Sequence, residues 1–195
     1  MERMIIGFCG YAGAGKDTAA AAIQHAASVS GVAQRFSFAD PMRAMLRALG
    51  VPDEYMADRA LKEQPVPGLD RSYRQLAQTL GTEWGRVCHG EDFWVKALAR
   101  RIDQSPCDLA LIPDVRFPNE AAWLKAIGGV LIRVNRPGVI PVHPHESERH
   151  VTEFQPYAEL YNTESQARLE YDAVELFRNI IQVRVLDRTL QGGQP

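Results

Sequence analysis

The chain is short of cysteine, short of net charge, and without any long apolar run, and each shortage removes a class of function. Its three cysteines, Cys9, Cys88 and Cys107, show no metal-ligand spacing, and Cys9, inside an apolar stretch, reads as a core residue. No apolar run approaches membrane-spanning length and no signal peptide precedes the first strand, so a reducing cytoplasm away from membranes is the expected setting. Lys and Arg together number 22 against 24 Asp and Glu, a net charge of −2. A nucleic-acid polymer would want a basic surface, so such a partner is not expected. What remains is ordinary for a globular protein: 46% apolar and 24% charged residues over 195 positions. That length buries one substantial core, in one domain with insertions or at most two.

Against this plain background one stretch stands out. Gly10-Tyr11-Ala12-Gly13-Ala14-Gly15-Lys16-Asp17-Thr18 directly follows the apolar run Met4 to Cys9 and leads into an alanine-rich segment with helical composition. Strand, glycine loop and helix in that order make a phosphate-binding P-loop. The glycines bring backbone N–H groups close to phosphate oxygens, and the helix start adds free N–H groups and the positive end of its dipole. Lys16 adds a full charge on a long stem. It is expected to face solvent as a phosphate ligand rather than to join the core. A glycine turn that merely closed a strand–helix unit would not need the lysine. Gly10, Gly13, Ala14, Gly15, Lys16, Asp17 and Thr18 therefore read as a site for a nucleoside triphosphate, with ATP and Mg²⁺ the expected pair. The usual hydroxyl after the lysine is here Asp17, which holds Mg²⁺ directly or through water. Thr18 either reaches the α-phosphate or caps the helix.

Strands alternate with helices along the rest of the chain, which predicts an α/β fold with a parallel five-stranded sheet flanked by helices. After Gly31 a second strand is expected over Val32 to Phe38, and Asp40-Pro41 is a helix start with Asp40 as the cap. The spacing predicts further helices over 71–80, 91–104, 118–127 and 165–181, and strands over 109–112, 130–134 and 156–161. Trp94 falls on the apolar face of its helix and reads as core. The division this implies is a core of 1–39, 91–136 and 157–190, a helical insertion over 40–90, and a mobile excursion over 137–156. The tail 191–195 reads as disordered.

Several constellations attach to this frame. Asp114 follows four apolar residues, where a second strand feeds Mg²⁺ in P-loop enzymes, and Arg116 points the same way; a plain loop ion pair is the alternative. The insertion gathers Arg43, Lys62, Arg71, Arg74 and Arg86, guanidinium forks suited to a second anion. Arg74 and Gln78 share a helix face, so Gln78 can read a base edge while Arg74 takes phosphate. Solvated helix faces remain the bland account of each arginine alone. Arg136 and Arg149 flank the excursion and can close over the triphosphate. His143, His145 and His150 lack metal-ligand spacing, and no structural metal is expected there.

Taken together, Phe38-Ala39-Asp40-Pro41, Arg74 to Glu83 with Arg86, Asp114-Val115-Arg116-Phe117-Pro118-Asn119-Glu120, His145-Glu146-Ser147-Glu148, and the Gly-Lys-Asp-Thr ending of the P-loop resemble the motifs of bacteriophage-type deoxynucleoside monophosphate kinases. The resemblance runs from the P-loop to about Ser165, in the family's order. It implies a P-loop nucleoside monophosphate kinase fold with a monophosphate-binding insertion and a lid. It implies transfer of the ATP γ-phosphoryl group to a deoxynucleoside monophosphate, with Mg²⁺ on Asp17 and Asp114. Asp40, Arg43, Lys62, Arg74, Gln78, Arg86 and Arg116 would then form the acceptor site, and Lys16, Arg116 and Arg149 would act on the transferring group. Asn162 sits where the family ends a strand in asparagine, with no role attached. Two other readings stay open: a small-molecule kinase of the phosphomevalonate or dephospho-coenzyme A type, and a slow ATP-hydrolysing switch. A homodimer is also left open.

Overall fold

The first apolar run forms strand β1 (Met4–Cys9) in the middle of a five-stranded sheet. The computed structural model describes residues 3–29, 31–139, 150 and 152–191. In chain order the elements are β1, α1 (Lys16–Ala27), β2 (Ala33–Arg35), α2 (Asp40–Ala48), α3 (Asp53–Ala57), a 3-10 turn (Leu61–Glu63) and α4 (Tyr73–Gln78). A π-helix (Thr79–Cys88), α5 (Phe93–Asp103), β3 (Leu109–Ile112), α6 (Pro118–Ala126), β4 (Val130–Asn135), β5 (Ala158–Tyr161) and α7 (Gln166–Gln191) follow. The chain divides into two compact units, Met1–Arg35 with Pro106–Pro195, and Phe36–Ser105. Among the described residues no helix is long and apolar enough to cross a membrane.

The first unit holds the sheet, all parallel, in the order β2-β3-β1-β4-β5. β3 is buried along its whole length, as the unbroken run Leu109-Ala110-Leu111-Ile112 requires of an inner parallel strand. Ile6 and Phe8 of β1 pack with Leu111, Val130, Ile132 and Leu160 on one continuous core. Two helices cover that core. Ala19, Ala20, Ile23 and Ala27 of α1 meet Leu169, Ala173, Phe177 and Ile180 of α7, and the small side chains let the helix axes come close. Each fully buried large residue here is worth about 1.5–3 kcal/mol relative to exposure. β1 connects across β3 to β2 on one side, while β4 lies on its other side. The carboxyl end of β1 is thus a switch point of the sheet, where open α/β sheets place ligands.

Several boundaries differ from the sequence expectation, three of them as follows. β2 pairs only over Ala33–Arg35, not to Phe38, because the chain turns away into the second unit. There the Ser37 N–H donates to Asp40 Oδ2 (2.9 Å) and the Asp40 N–H to the Ser37 carbonyl (3.1 Å). Asp40 therefore serves the loop before α2 instead of capping the helix, and the cap position falls to Ala39. α7 runs ten residues beyond Ile181, since no glycine or proline interrupts the chain before Gly192, and Arg184 ties it to the Gly128 carbonyl at 2.5 Å. The tail residues 192–195 lie outside the described residues.

The second unit is helical, with a core of Leu46, Val51, Met56, Val66 and Tyr73. α4 starts at Tyr73 rather than Arg71 because Ser72 and Gln75 form a capping box: Ser72 Oγ accepts from the Gln75 N–H (3.2 Å) and Gln75 Oε1 from the Ser72 N–H (3.0 Å). The helix then continues past Leu80 as the π-helix. Trp94, buried as expected, explains its course. The Trp94 Nε1–H donates to the Gly81 carbonyl (2.7 Å), and a Cβ at Gly85 would stand 2.4 Å from the same nitrogen. Gly85 leaves room for the indole, while a Cβ at Gly81 would meet Met42 Sδ at 3.2 Å.

Candidate active site

The loop after β1 is shaped by glycines that nothing else could replace. Gly10 has φ 141 and Gly15 has φ 108, and a Cβ on Gly10 would lie 2.3 Å from the Val134 carbonyl oxygen. The chain enters α1 at Lys16, so the helix start lies at the end of the loop. Gly13, Gly15, Lys16, Asp17 and Thr18 line a cavity of about 350 Å³ there. It is also lined by Arg136 after β4, by Asn162 and Glu164 between β5 and α7, and by Gln166 and Leu169 in the first turn of α7.

Lys16 departs from expectation. It is buried, 7% exposed, and its ammonium donates to the Gly10 carbonyl (2.7 Å) and the Tyr11 carbonyl (2.8 Å). The loop wraps its own lysine because the Gly10 and Tyr11 carbonyls turn toward it. A buried ammonium with hydrogen-bonded carbonyl partners stays paired, so the desolvation is offset. Arg136 reaches the same loop, with Nη1 donating to the Gly13 carbonyl at 3.2 Å. Asp17 is exposed on the first turn of α1 and Thr18 half-buried behind it. Ala14 is buried and its N–H donates to the Tyr11 carbonyl.

Asp114 and Arg116 follow β3, the strand next to β1. Register pairs Gly7 with Ile112, and the Val115 N–H donates to the Phe8 carbonyl at 3.1 Å, which brings this segment to the carboxyl end of β1. Asp114 is half-buried and Arg116 is exposed. Arg116 stands on a stiff base. The buried Glu120 carboxylate accepts from the backbone N–H of Arg116 (2.8 Å) and of Phe117 (3.1 Å) at the start of α6. Burial pushes the Cys9 thiol in β1 up, with the nearby Arg133 opposing.

β4 and β5 are latched to each other at the same end. Glu159 accepts from Tyr161 Oη (2.7 Å), Asn135 Nδ2 (3.0 Å) and Arg133 Nη1 (3.0 Å). The Tyr161 hydrogen bond is the chief reason its carboxyl is held below the usual range. The excursion over 137–156 falls largely on 140–149 and 151, which lie outside the described residues, and Arg149, His143 and His145 with it.

In the second unit the acceptor candidates separate into four environments. Asp40 gathers two arginines, with Oδ1 accepting from Arg43 Nη1 (3.3 Å) and Oδ2 from Arg101 Nη1 (3.1 Å). Arg101, on α5, was not singled out by the sequence; only the tertiary fold brings it 61 residues back to Asp40. Arg74 and Gln78 are both exposed on α4, and Arg74 pairs with Glu63 at 2.5 Å. Arg86 is buried, with Nη1 on the carbonyl (3.2 Å) and carboxylate (3.3 Å) of Glu91, so it braces the π-helix against the turn before α5. Lys62 lies in the 3-10 turn, half-buried.

Comparison with known proteins agrees with the motifs. A family model described as deoxynucleotide monophosphate kinase matches residues 70–166. A protein of Acanthamoeba polyphaga mimivirus, assigned as a deoxynucleotide monophosphate kinase, is 28% identical over 172 residues, covering 79% of this chain and 85% of its own. The deoxynucleoside-5'-monophosphate kinase of Escherichia phage T5 is 41% identical over 64 residues, 33% of this chain and 26% of that one. Among solved structures, TT1252 from Thermus thermophilus (20% identity, TM-score 0.47, 100% of both chains) and shikimate kinase from Aquifex aeolicus (9% identity, TM-score 0.48, 92% of this chain and 99% of that one) are similar in outline only. With its P-loop, its Asp-Val-Arg-Phe segment after β3 and its Gln-x-x-Gly-Thr segment on the helices, the chain is similar to deoxynucleotide monophosphate kinases.

Proposed function

We propose that this chain transfers the γ-phosphoryl group of ATP to a deoxynucleoside monophosphate, giving the diphosphate, with the donor triphosphate in the cavity at the carboxyl end of β1. The observation that carries the donor site is the convergence of the P-loop, Lys16, Arg136 and the α1 start on one 350 Å³ space. In this reading Lys16 exchanges its loop carbonyls for β- and γ-phosphate oxygens, a stronger charge-assisted partnership. Asp17 lines the cavity, and Asp114 follows the strand next to β1; both are hard oxygen donors of the kind Mg²⁺ takes together with phosphate oxygens and waters. Bound there, Mg²⁺ supplies charge neutralisation on the phosphates.

Transfer to a phosphate oxygen needs no strong base, since the acceptor is already an anion. In-line placement and cationic neutralisation carry the rate, and Arg116 is assigned to the transferring group. The helical unit is assigned to the acceptor, with Arg74 on its phosphate and Gln78 at its base. The Arg74–Glu63 pair is half exposed on both sides, so it holds Arg74 with little energy and yields readily to a phosphate dianion. Asp40, Arg43 and Lys62 are assigned to the same site, with Arg86 as its brace.

The experiment that tests the function is an ADP-release assay with ATP and Mg²⁺ in the presence and absence of each deoxynucleoside monophosphate. ADP release should depend on the monophosphate. Equal release without any acceptor would favour a slow hydrolytic switch, and release with phosphomevalonate or dephospho-coenzyme A instead would favour a small-molecule kinase. Within a positive assay, Arg74→Ala should raise the KM for the monophosphate about tenfold or more, with the KM for ATP nearly unchanged. Equal rises for both substrates would remove Arg74 from a separate acceptor site.

A further inference from the structure

The P-loop is held from outside by a residue that has no part in the reading above. Asn162 follows β5, the edge strand of the sheet. Its backbone N–H donates to the Asn135 carbonyl (2.7 Å), extending the β4–β5 ladder by one step and fixing where its side chain starts. From there Nδ2 donates to the Ala14 carbonyl at 3.0 Å, a contact across 148 residues of sequence. The fit is tight as well as polar: a Cβ on Gly15 would lie 2.9 Å from Asn162 Nδ2 and 2.6 Å from Leu169 Cδ2. Asn162 is half-buried and lines the same cavity as Lys16 and Thr18.

We infer that Asn162 is a positioning residue for ATP: by holding the Ala14 carbonyl it fixes the Ala14–Gly15 peptide, and so the loop shape that offers N–H groups to phosphate. A trans peptide points its C=O and N–H in opposite directions, so the donor that takes the Ala14 oxygen also sets the direction of the Gly15 N–H. Gly15, at φ 108, has no side chain to resist rotation, and an unheld loop would sample several orientations of that peptide. Arg136 does the same for the preceding peptide through the Gly13 carbonyl. Arg136 brings a charge, however, which a phosphate can draw away. The Asn162 amide is neutral and stays. Its chemistry also suits the place, because a neutral donor holds the carbonyl without adding negative charge beside a triphosphate. The Glu159 latch on Arg133, Asn135 and Tyr161 keeps the ends of β4 and β5 together, so the amide is delivered from a rigid base.

This inference rests on the cavity being the triphosphate site, and the test separates the two. ATP binding is measured directly for wild type, Lys16→Met, Asn162→Ala and Asn162→Asp, with the KM of both substrates and the melting temperature. Wild-type binding that Lys16→Met abolishes secures the triphosphate site. Asn162→Ala should then weaken ATP about tenfold, the loss of one well-placed hydrogen bond, and leave the monophosphate KM within about twofold. Asn162→Asp keeps the shape and sets a carboxylate against the Ala14 carbonyl, so near neutral pH it should weaken ATP at least as much. As pH falls and its carboxyl takes a proton, the O–H can donate to Ala14, and ATP affinity relative to wild type should recover. A merely structural asparagine would lower the melting temperature without that recovery. Unchanged ATP affinity in both variants, equal effects on both substrates, or a pH-independent loss in Asn162→Asp overturns the inference while leaving the triphosphate site standing. Failure of the wild type to bind ATP takes both down together.

Discussion

Lys16→Ala should reduce phosphoryl transfer by about a thousandfold or more, because the variant removes a cation from the point where charge builds on the transferring group. The structure adds a complication that sequence did not foresee. Lys16 is 7% exposed and ties the carbonyls of Gly10 and Tyr11, so truncation to alanine also leaves two loop carbonyls without their donor. Each costs about 1–3 kcal/mol if no water replaces the ammonium. Part of the lost activity could then come from a deformed loop. Lys16→Met narrows the causes, since it removes the charge and the two hydrogen bonds but keeps most of the stem, so no cavity opens where the side chain lay. Both variants should lose transfer to a similar degree while retaining a cooperative melting transition. A methionine variant with more than a small fraction of wild-type turnover would remove Lys16 from the chemistry.

The second large effect is at Arg116. Arg116→Ala should lower kcat by about a thousandfold, the scale at which an arginine on a transferring phosphoryl group acts, with little change in either KM. Stability should hardly move. The Arg116 side chain is exposed, and what fixes the segment is its backbone N–H on the buried Glu120, which the substitution leaves in place. Arg116→Lys keeps the charge but not the planar fork, so it should restore only part of the rate. If Arg116→Ala raises one KM and spares kcat, the residue binds ground-state substrate and does not act on the transferring group.

These predictions divide according to what each kind of information carries. Residues 10–18 were legible as a glycine loop between strand and helix, because positive-φ backbone leaves its mark as glycine. The inner strands were equally legible: four consecutive apolar residues from Leu109 to Ile112 have no other reading than a strand buried on both faces. Trp94 belonged to the core by helical spacing alone. The capping box at Ser72 and Gln75 was also present in the sequence, and would have moved the start of α4 to its observed place.

Other features were decided only when distant segments met. Whether Lys16 faced solvent or its own loop depended on where the carbonyls of Gly10 and Tyr11 turned, which no pattern of residue types encodes. The Asp40–Arg101 pair and the Asn162–Ala14 hydrogen bond join residues 61 and 148 positions apart. Local propensity reaches only a few residues along a chain, so it set the strands, the glycine loop and the helix faces of this protein. The parallel order β2-β3-β1-β4-β5 decided which ends of those strands share a cavity, and therefore which side chains line it.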